Sequence, residues 1–263
     1  MIIHLYTLCY NEIDILPWVI DYWKRLPLTK AIVYDNESTD GSKEYLQQFD
    51  WIEVRTFHTE GMNDSIQRDL KSKAWKESKG IADFVIVCDM DEIIYSPNII
   101  PILQKMKDED YNVLGMPWYM LCATEQPQYQ EGKLLHEVAP QHWCKQYINH
   151  HHPYSHLGKF MLFDPNKVDD MGYSVGCHIS HVTPSLRLLE DTSGQVISLH
   201  INKGFSEDYF VNWRKKANER LSSENKSHGF CVEYGWSEEQ QRKWYRDNVA
   251  KSFNLEIKED VSK

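Results

Sequence analysis

DFVIVCDMDE, at residues 83–92, is the stretch of sequence that decides the fold. Its residues 84–88 form an uninterrupted apolar run rich in β-branched side chains, which is typical of a strand buried on both faces of a parallel sheet. Three carboxylates, Asp89, Asp91 and Glu92, follow at once, and an unpaired charge is too costly to bury in the core. They are therefore predicted at the carboxyl end of the strand, the edge at which open α/β sheets bind ligands.

The spacing of these carboxylates indicates a metal site. Asp89 and Asp91 are two residues apart, so an extended backbone would point both side chains to one side. Hard oxygen ligands suit Mg²⁺ or Mn²⁺, which use one or two carboxylates together with substrate phosphates. A solvated acidic turn after a core strand is the alternative, and the stretch by itself leaves both open.

Residues 1–116 alternate strand-like and helix-like segments, which is typical of a mostly parallel sheet with helices on both faces. The first two strands end in polar loops at residues 7–12 and 35–42, and parallel strands bring their carboxyl ends to one edge. Three such loops, counting the acidic stretch, favour a ligand site over an acidic turn. The predicted strands cover residues 2–8, 31–34, 51–57, 84–88 and 113–116.

The rest of the chain predicts a less regular region. Residues 118–156 are rich in aromatic residues, histidine and glutamine and show little periodicity, so a long loop is predicted there. Two C-terminal helices are predicted to begin after Ser206 and Ser237, because both serines precede acidic first turns. Further strands are predicted at residues 159–163, 173–180 and 195–201.

Composition restricts the function classes. Of the 263 residues, 39 are acidic and 29 are Lys or Arg, which gives a net charge of −10. This balance argues against DNA or RNA as a partner, because nucleic-acid binding needs a basic surface. No apolar run reaches the roughly 20 residues of a membrane-spanning helix, and the six cysteines form no C-x-x-C pair. We expect a cytoplasmic protein with reduced thiols, and peripheral association with the inner face of a membrane stays open.

Several of these loops resemble family 2 glycosyltransferases. The sequence YNE at residues 10–12 is similar to the start of one branch of that family, and DNESTDGS at residues 35–42 resembles its nucleotide loop. CDMDE at residues 88–92 resembles its D-x-D-E form of the DxD metal motif. LHINKGFSE at residues 199–207 is a weaker match to the histidine- and lysine-containing tail of the same branch.

The resemblance covers residues 2–116 well and 195–220 weakly. It implies an α/β, GT-A (Rossmann-like) fold: a mostly parallel central sheet flanked by helices, a small antiparallel or loop-rich acceptor region, and C-terminal helices. Residues 1–116 would bind the nucleotide sugar, 117–204 would form the acceptor side, and 205–263 would supply the C-terminal helices of one domain.

The same resemblance implies a reaction. The enzyme would transfer a sugar from a nucleoside-diphosphate donor, with a UDP-sugar expected, to a glycan or lipid-linked acceptor in polysaccharide biosynthesis. Mn²⁺ or Mg²⁺ would bind the diphosphate, and the family leads us to expect inversion at the anomeric carbon.

Roles for single residues also follow from the resemblance. Asp91 is the expected metal ligand, with Asp89 on the metal or the ribose and Glu92 orienting both. His200 is the first candidate for a further metal ligand, and His178 is the second.

A nucleotide-binding set is expected around these metal ligands. Asp35 would bind the base or ribose, Thr7 and Glu12 would line the nucleoside pocket, and Lys203 would contact the diphosphate. Arg68 would approach the base or a phosphate, with a solvated arginine as the alternative. Asp89 completes the set through the ribose.

An inverting transferase also needs a carboxylate that takes a proton from the acceptor hydroxyl. Asp170, Glu190 and Asp191 are the candidates, because the family places this base well downstream of the DxD motif. The favoured alternative for Glu190 and Asp191 is that they lead into an ordinary hairpin turn at residues 192–194, and Asp170 has no stronger support.

Two other function classes stay open. A nucleotidyltransferase-like enzyme usually carries a glycine-rich phosphate loop after its first strand, and residues 9–12 contain no glycine. A non-enzymatic metal- or sugar-binding module would use the histidine-rich middle, including residues 150–152, and would bind transition metals without a nucleotide. The acidic pair Asp89 and Asp91 favours the enzyme, because hard oxygen ligands suit Mg²⁺ or Mn²⁺ better than soft metals.

Overall fold

The computed structural model describes residues 1–145, 157–177 and 186–255, and these residues form two β-sheets surrounded by α-helices. The strands are β1 Ile3–Cys9, β2 Lys30–Asp35, β3 Ile52–Thr56, β4 Phe84–Asp89, β5 Glu92–Tyr95, β6 Val113–Gly115, β7 Trp118–Leu121, β8 Trp143–Lys145, β9 Leu162–Phe163, β10 Leu188–Glu190 and β11 Ile197–His200. The helices are α1 Leu16–Trp23, α2 Ser42–Leu46, α3 Asp64–Ala74, α4 Ile100–Asp108, α5 Leu135–Val138, α6 Glu207–Glu219, α7 Ser223–His228 and α8 Glu238–Val249. None of these helices has the length and apolar character needed to cross a bilayer.

The larger sheet has seven strands in the order β10-β6-β9-β4-β1-β2-β3. β1 pairs in parallel with β2 and β4, and β9 is the antiparallel strand between β4 and β6. Leu5 packs in the cluster that contains α1, whereas Tyr6 packs on the opposite face with Trp75, which follows α3. Because both faces are covered, residues 84–88 are buried throughout. The prediction of a mostly parallel sheet flanked by helices is confirmed.

The smaller sheet has four strands in the order β5-β11-β7-β8. β5 begins at Glu92, so the chain passes from one sheet to the other within the acidic stretch. β11 pairs antiparallel with β5 and sets His200 opposite Glu92. The backbone N–H of Ile201 then donates to the carbonyl oxygen of Asp91 at 2.8 Å. Strand register therefore brings His200 to the acidic stretch from a distant part of the sequence.

Two predictions for the middle of the chain are wrong. Residues 118–145 contain β7, α5 and β8 rather than a continuous loop, because elements of three or four residues are too short to show a period. The strand predicted at 173–180 is not formed in its described part, where Val175–Cys177 make a short 3₁₀ turn. The histidines at 150–152, together with His178 and His181, lie outside the described residues.

The C-terminal helices begin where their capping serines predict. Ser206 accepts a hydrogen bond from the backbone N–H of Tyr209, and Ser237 forms a capping box with Gln240. The hydroxyl of Tyr245 on α8 lies 2.6 Å and 2.8 Å from the carbonyl oxygens of Ala123 and Gly204. These contacts fasten α8 to the smaller sheet.

A cluster of three rings joins the smaller sheet to α1. His136 of α5 lies against the rings of Tyr22 and Tyr95, with centroid distances of 5.7 and 4.6 Å. Its Nδ1 is 2.7 Å from the Tyr22 hydroxyl, which also accepts the backbone N–H of His136 at 3.1 Å. Burial lowers the pKa of His136 to about 4, so the imidazole is neutral in the folded protein at neutral pH.

This histidine predicts an acid-sensitive fold. The pKa of a histidine in an unfolded chain is about 6.5, so the unfolded protein takes up a proton before the folded protein does. The stabilising contribution is present above about pH 6.5 and is lost as the pH falls towards 4. We expect the free energy of unfolding in urea to fall by about 2 kcal/mol between about pH 7 and about pH 4.5 through His136 alone.

His136→Gln should flatten this part of the pH dependence, because glutamine does not titrate. The exposed His228→Gln is the matched control and should keep the wild-type slope. Equal slopes for His136→Gln and the wild type would show that His136 is not the titrating group.

Candidate functional site

An open cleft of about 970 Å³ lies at the carboxyl ends of β1 and β4. Strand register sets the carboxyl ends of β4 and β2 on either side of the end of β1, because Leu8 pairs with Asp89 and Cys9 pairs with Asp35. The other walls come from α3, from His200 at the end of β11, and from α6 with the residues that follow it. The cleft therefore lies where the sequence predicted a ligand site.

The loops after β1 and β2 are hydrogen-bonded to each other. The hydroxyl of Ser38 accepts the backbone N–H of Asn11 at 3.0 Å, and the hydroxyl of Ser42 accepts that of Glu12 at 2.8 Å. The side-chain oxygen of Asn11 accepts the N–H of Thr39 at 2.8 Å. The predicted convergence of these two loops is confirmed, and polar side chains hold their backbones in place.

One face of α3 lines the cleft with polar side chains. Asp64, Gln67, Arg68 and Lys71 all line it, and their spacing of three and four residues puts them on one side of a helix. Asn63 caps this helix by accepting the N–H of Ile66 at 3.1 Å. The helical period thus carries Lys71 to the end of β4.

Two lysines bind both oxygens of Asp89. Lys71 donates to Oδ1, and Lys159 donates to Oδ2 at 2.9 Å and lies 2.6 Å from Glu92 Oε1. Both lysine side chains are nearly buried, with exposures of 5% and 6%. Burial opposes ionisation of Asp89, but the ammonium groups of Lys159 and Lys71 hold the pKa of this carboxyl well below its usual range.

The pairing of Asp89 with two lysines argues against the expected contact with a metal. Each of its oxygens already faces an ammonium group, so a cation bound there would meet two positive charges at short range. The two carboxylates also have different surroundings, because Asp89 ends β4 whereas Asp91 lies in the turn to β5.

Asp91 and His200 form the pair of side chains that fits a divalent ion. Oδ2 of Asp91 is 3.4 Å from Nε2 of His200, and the imidazole stacks on Trp118 at 5.3 Å with an angle of 13°. Burial opposes both charged forms, but each partner favours the other, so the pKa of Asp91 is lowered and that of His200 is raised. The Nδ1 atom of His200 is buried and has no hydrogen-bond partner among the described residues.

A metal bound to this pair would depend on the substrate for its other ligands. Among residues 1–145, 157–177 and 186–255, no three His, Cys, Asp or Glu side chains converge as in a closed metal centre. One carboxylate and one imidazole still fit Mn²⁺ or Mg²⁺, which take several ligands from water and phosphate oxygens.

Glu12 lines the cleft, whereas Lys203 lies behind it. Lys203 is 1% exposed, forms an ion pair with Glu12 and lies 3.8 Å from Asp14. Asn202 and Lys203 both have positive φ angles, 45° and 53°, and this backbone turn carries the lysine inward. Lys203 thereby fixes Glu12, and its burial argues against the expected contact with the diphosphate.

Two members of the expected nucleotide set are buried behind the wall of the cleft. Thr7 is 1% exposed in the centre of the sheet, and Asp35 is completely buried. Asp35 Oδ2 accepts the N–H of Ser38 at 3.1 Å and so shapes the loop. We correct the assignment of Thr7 to the pocket lining, since its side chain points into the core. Arg68 does line the cleft, where it binds the adjacent Asp69 at 2.6 Å.

The three expected base candidates lie outside the cleft. Asp191 accepts the backbone N–H groups of Ser193 and Val196 at 2.9 and 2.7 Å, so it closes a turn as the alternative predicted. Glu190 is exposed at the end of the edge strand β10. Asp170 is exposed and lies 3.8 Å from Lys76. A base must reach the acceptor hydroxyl, so the position of these three residues outside the cleft argues against that role.

Sequence reasoning missed Lys71 and Lys159. Lys71 could have been found by projecting α3 as a helix, since it lies on the same face as Asp64, Gln67 and Arg68. Lys159 had a weaker signal: it precedes the apolar residues 160–163, and a lysine in such a stretch needs a buried partner. Which carboxylate that partner is depends on tertiary structure.

Comparisons with known proteins agree with this architecture. The sequence model of glycosyl transferase family 2 matches residues 5–165. No curated protein matches the sequence significantly.

Solved structures with a similar backbone include three structures of TarS from S. aureus. One, of TarS, has a TM-score of 0.45 at 14% identity and covers 82% of this chain and 39% of that chain. The structure of TarS 1–349 in complex with UDP has a TM-score of 0.47 at 11% identity and covers 88% of this chain and 70% of that chain. The structure of TarS 1–349 in complex with UDP-GlcNAc has a TM-score of 0.43 at 10% identity and covers 94% of this chain and 72% of that chain. This chain therefore spans about two fifths of the first of these chains, and the values are too low to transfer a substrate or a mechanism.

The family match covers well over half of the sequence. It includes the end of β1, the loop after β2 and the acidic stretch after β4. The expectation drawn from these motifs is confirmed: the chain belongs to glycosyl transferase family 2 and has a GT-A fold.

Proposed function

We propose that this protein transfers a sugar from a UDP-sugar to a hydroxyl group of a glycan or lipid-linked acceptor during polysaccharide biosynthesis, with inversion at the anomeric carbon. One observation carries the proposal. Asp91 and His200 lie 3.4 Å apart in a cleft at the carboxyl edge of a family 2 sheet. This position supports binding of a diphosphate and its divalent ion.

Departure of the nucleoside diphosphate is the step that the site must assist. Negative charge grows on the diphosphate as the bond from the sugar to oxygen breaks. A divalent ion on Asp91 and His200 would act there as a Lewis acid. The protein contributes by holding these two side chains in position before substrate arrives, through the pairing of β5 with β11 and the stacking of His200 on Trp118.

The buried ion pairs support this arrangement from behind. Lys159 joins Asp89 to Glu92, and Lys203 holds Glu12. These contacts fix carboxylates that would otherwise repel one another and the diphosphate. We propose that Asp89 and Glu12 face the nucleoside, with the exposed edge of Asp89 available to a ribose hydroxyl.

Nucleotide binding provides the first test. In a thermal-shift panel of UDP, GDP, CDP, TDP and ADP, we expect UDP with Mn²⁺ to raise the melting temperature, because a ligand that binds only the folded state stabilises it. Asp91→Asn should remove the metal-dependent part of the shift. Glu190→Gln, at an exposed site outside the cleft, is the control and should respond like the wild type.

Two results would count against the transferase. One is the absence of a shift with every nucleotide. The other is a strong shift with Zn²⁺ or Ni²⁺ alone, which would support a metal-binding module.

The different surroundings of the two aspartates provide a second test. Asp89→Asn removes the carboxylate that balances Lys71 and Lys159, and breaking a buried ion pair in this way should lower the free energy of unfolding by about 3 kcal/mol. Asp91→Asn leaves only His200, which can release its proton, so we expect a loss below about 1 kcal/mol. Urea unfolding at neutral pH measures both. Equal losses, or a larger loss in Asp91→Asn, would contradict the assignment of Asp89 to the lysine pair.

A further inference from the structure

We propose that Arg220, supplied by the C-terminal end of α6, binds the phosphate oxygens of the donor nucleotide. The proposal rests on the function proposed above and adds a binding residue from the far wall of the cleft. Arg220 and Tyr10 both line this cleft, and Cζ of Arg220 lies 3.2 Å from the centroid of the Tyr10 ring. Tyr10 directly follows β1, so Arg220 reaches the carboxyl edge of the larger sheet.

The backbone at Arg220 is fixed independently of its side chain. Its carbonyl oxygen accepts the N–H of Met62 at 2.7 Å, and the N–H of Ser222 donates to the carbonyl oxygen of Met62 at 2.9 Å. Gly61 permits this approach: its φ is +67°, and a Cβ there would lie 2.1 Å from the Arg220 carbonyl oxygen. The end of α6 is thereby joined to the loop that precedes α3.

A second set of contacts extends this junction. The side chain of Asn225, which is completely buried, donates to Asp64 Oδ2 at 3.0 Å and accepts the N–H of Asp64 at 3.0 Å. Asn63 donates to Glu224 at 2.9 Å. The start of α3 is therefore held by the backbone of Arg220 and by the residues that follow it, up to Asn225.

The charges in the cleft indicate why Arg220 needs an anion. Lys71 and Lys159 already face Asp89, and Arg68 binds Asp69. The guanidinium of Arg220 makes no hydrogen bond or ion pair with any residue in the described part of the chain, although the side chain is half-buried. Burial lowers its pKa, because the cost of removing the charge from water outweighs the opposing effects of Tyr10 and Glu12.

A neighbouring cation does not share this situation. Lys216, one turn earlier on α6, also lines the cleft but is exposed to solvent. Its charge stays hydrated and needs no anionic partner. Arg220 is therefore the cation on this wall that a bound anion would stabilise most.

The stacking on Tyr10 favours phosphate rather than the base as the partner. At 3.2 Å from the ring centroid, the guanidinium must lie roughly parallel to the ring to avoid overlap. One face is then covered by tyrosine, while the N–H groups at the edge of the guanidinium are left uncovered by the ring. Edge N–H groups in this fork geometry match phosphate oxygens, and the ring limits the side-chain freedom that binding would otherwise remove.

The test compares UDP with uridine in the presence of Mn²⁺. Isothermal titration calorimetry measures UDP, and saturation-transfer NMR measures the weaker nucleoside. Arg220→Met should weaken UDP binding by about tenfold or more, as expected for loss of a charge-assisted hydrogen bond, and should leave uridine binding unchanged. The UDP affinity of Arg220→Lys should lie between those of the wild type and Arg220→Met, because lysine keeps the charge but lacks the planar fork.

Controls separate folding from binding. Lys215→Met removes an exposed cation from the same helix at a position that does not line the cleft, and it should bind UDP like the wild type. The melting temperature of Arg220→Met without ligand should not fall below that of the wild type, since the junction uses backbone atoms of this residue and the variant removes a half-buried charge.

The outcomes are distinguishable. Wild-type UDP affinity in Arg220→Met would overturn the assignment of Arg220, and so would equal weakening of UDP and uridine, which would indicate a base contact. If the wild-type protein binds neither UDP nor any other nucleoside diphosphate, the proposed function fails and this inference fails with it.

Discussion

Asp89 and Glu92 can lie at the floor of the cleft because two ammonium groups are buried with them. Lys71 comes from α3 and Lys159 from the segment before β9. Each carboxylate would be too costly to bury without its partners. The acidic stretch therefore keeps its shape only when α3 and the segment before β9 are both docked against β4. The local sequence supplies the carboxylates, and the tertiary fold supplies the lysines that offset the cost of burying them.

The change of sheet after β4 gives the two aspartates different tasks. If the chain continued as one strand, Asp89 and Asp91 would point to the same side. Instead β4 ends at Asp89, and β5 begins at Glu92 in another sheet. Asp89 turns to the lysines, while Asp91 turns to His200, which the β5–β11 register brings opposite. The two aspartates of one short motif thus belong to two different ion pairs, one with Lys71 and Lys159 and one with His200.

Sequence patterns predicted the elements that are long enough to show a hydrophobic pattern or that begin with a clear capping residue. β1 to β4 were found because their apolar runs are bounded by polar loops, and α6 and α8 because Ser206 and Ser237 cap them. β5, β7 and β8 were missed because three or four residues carry no period. Asp91 and His200 could be suggested from motifs, but their contact depends on strand register. Asp170, Glu190 and Asp191 were chosen by position in the chain, and that criterion says nothing about which side of a sheet a carboxylate occupies.

The junction between Gly61 and Arg220 also sets an order of events during synthesis. β1, β2 and β4, with the loops that form one side of the cleft, leave the ribosome well before α6 and α7. The other wall cannot exist until the chain beyond residue 220 has been made and has docked on the start of α3. A nascent chain can thus assemble the first strands of the larger sheet while the cleft is still open on one side. Completion of the cleft coincides with folding of the C-terminal helices.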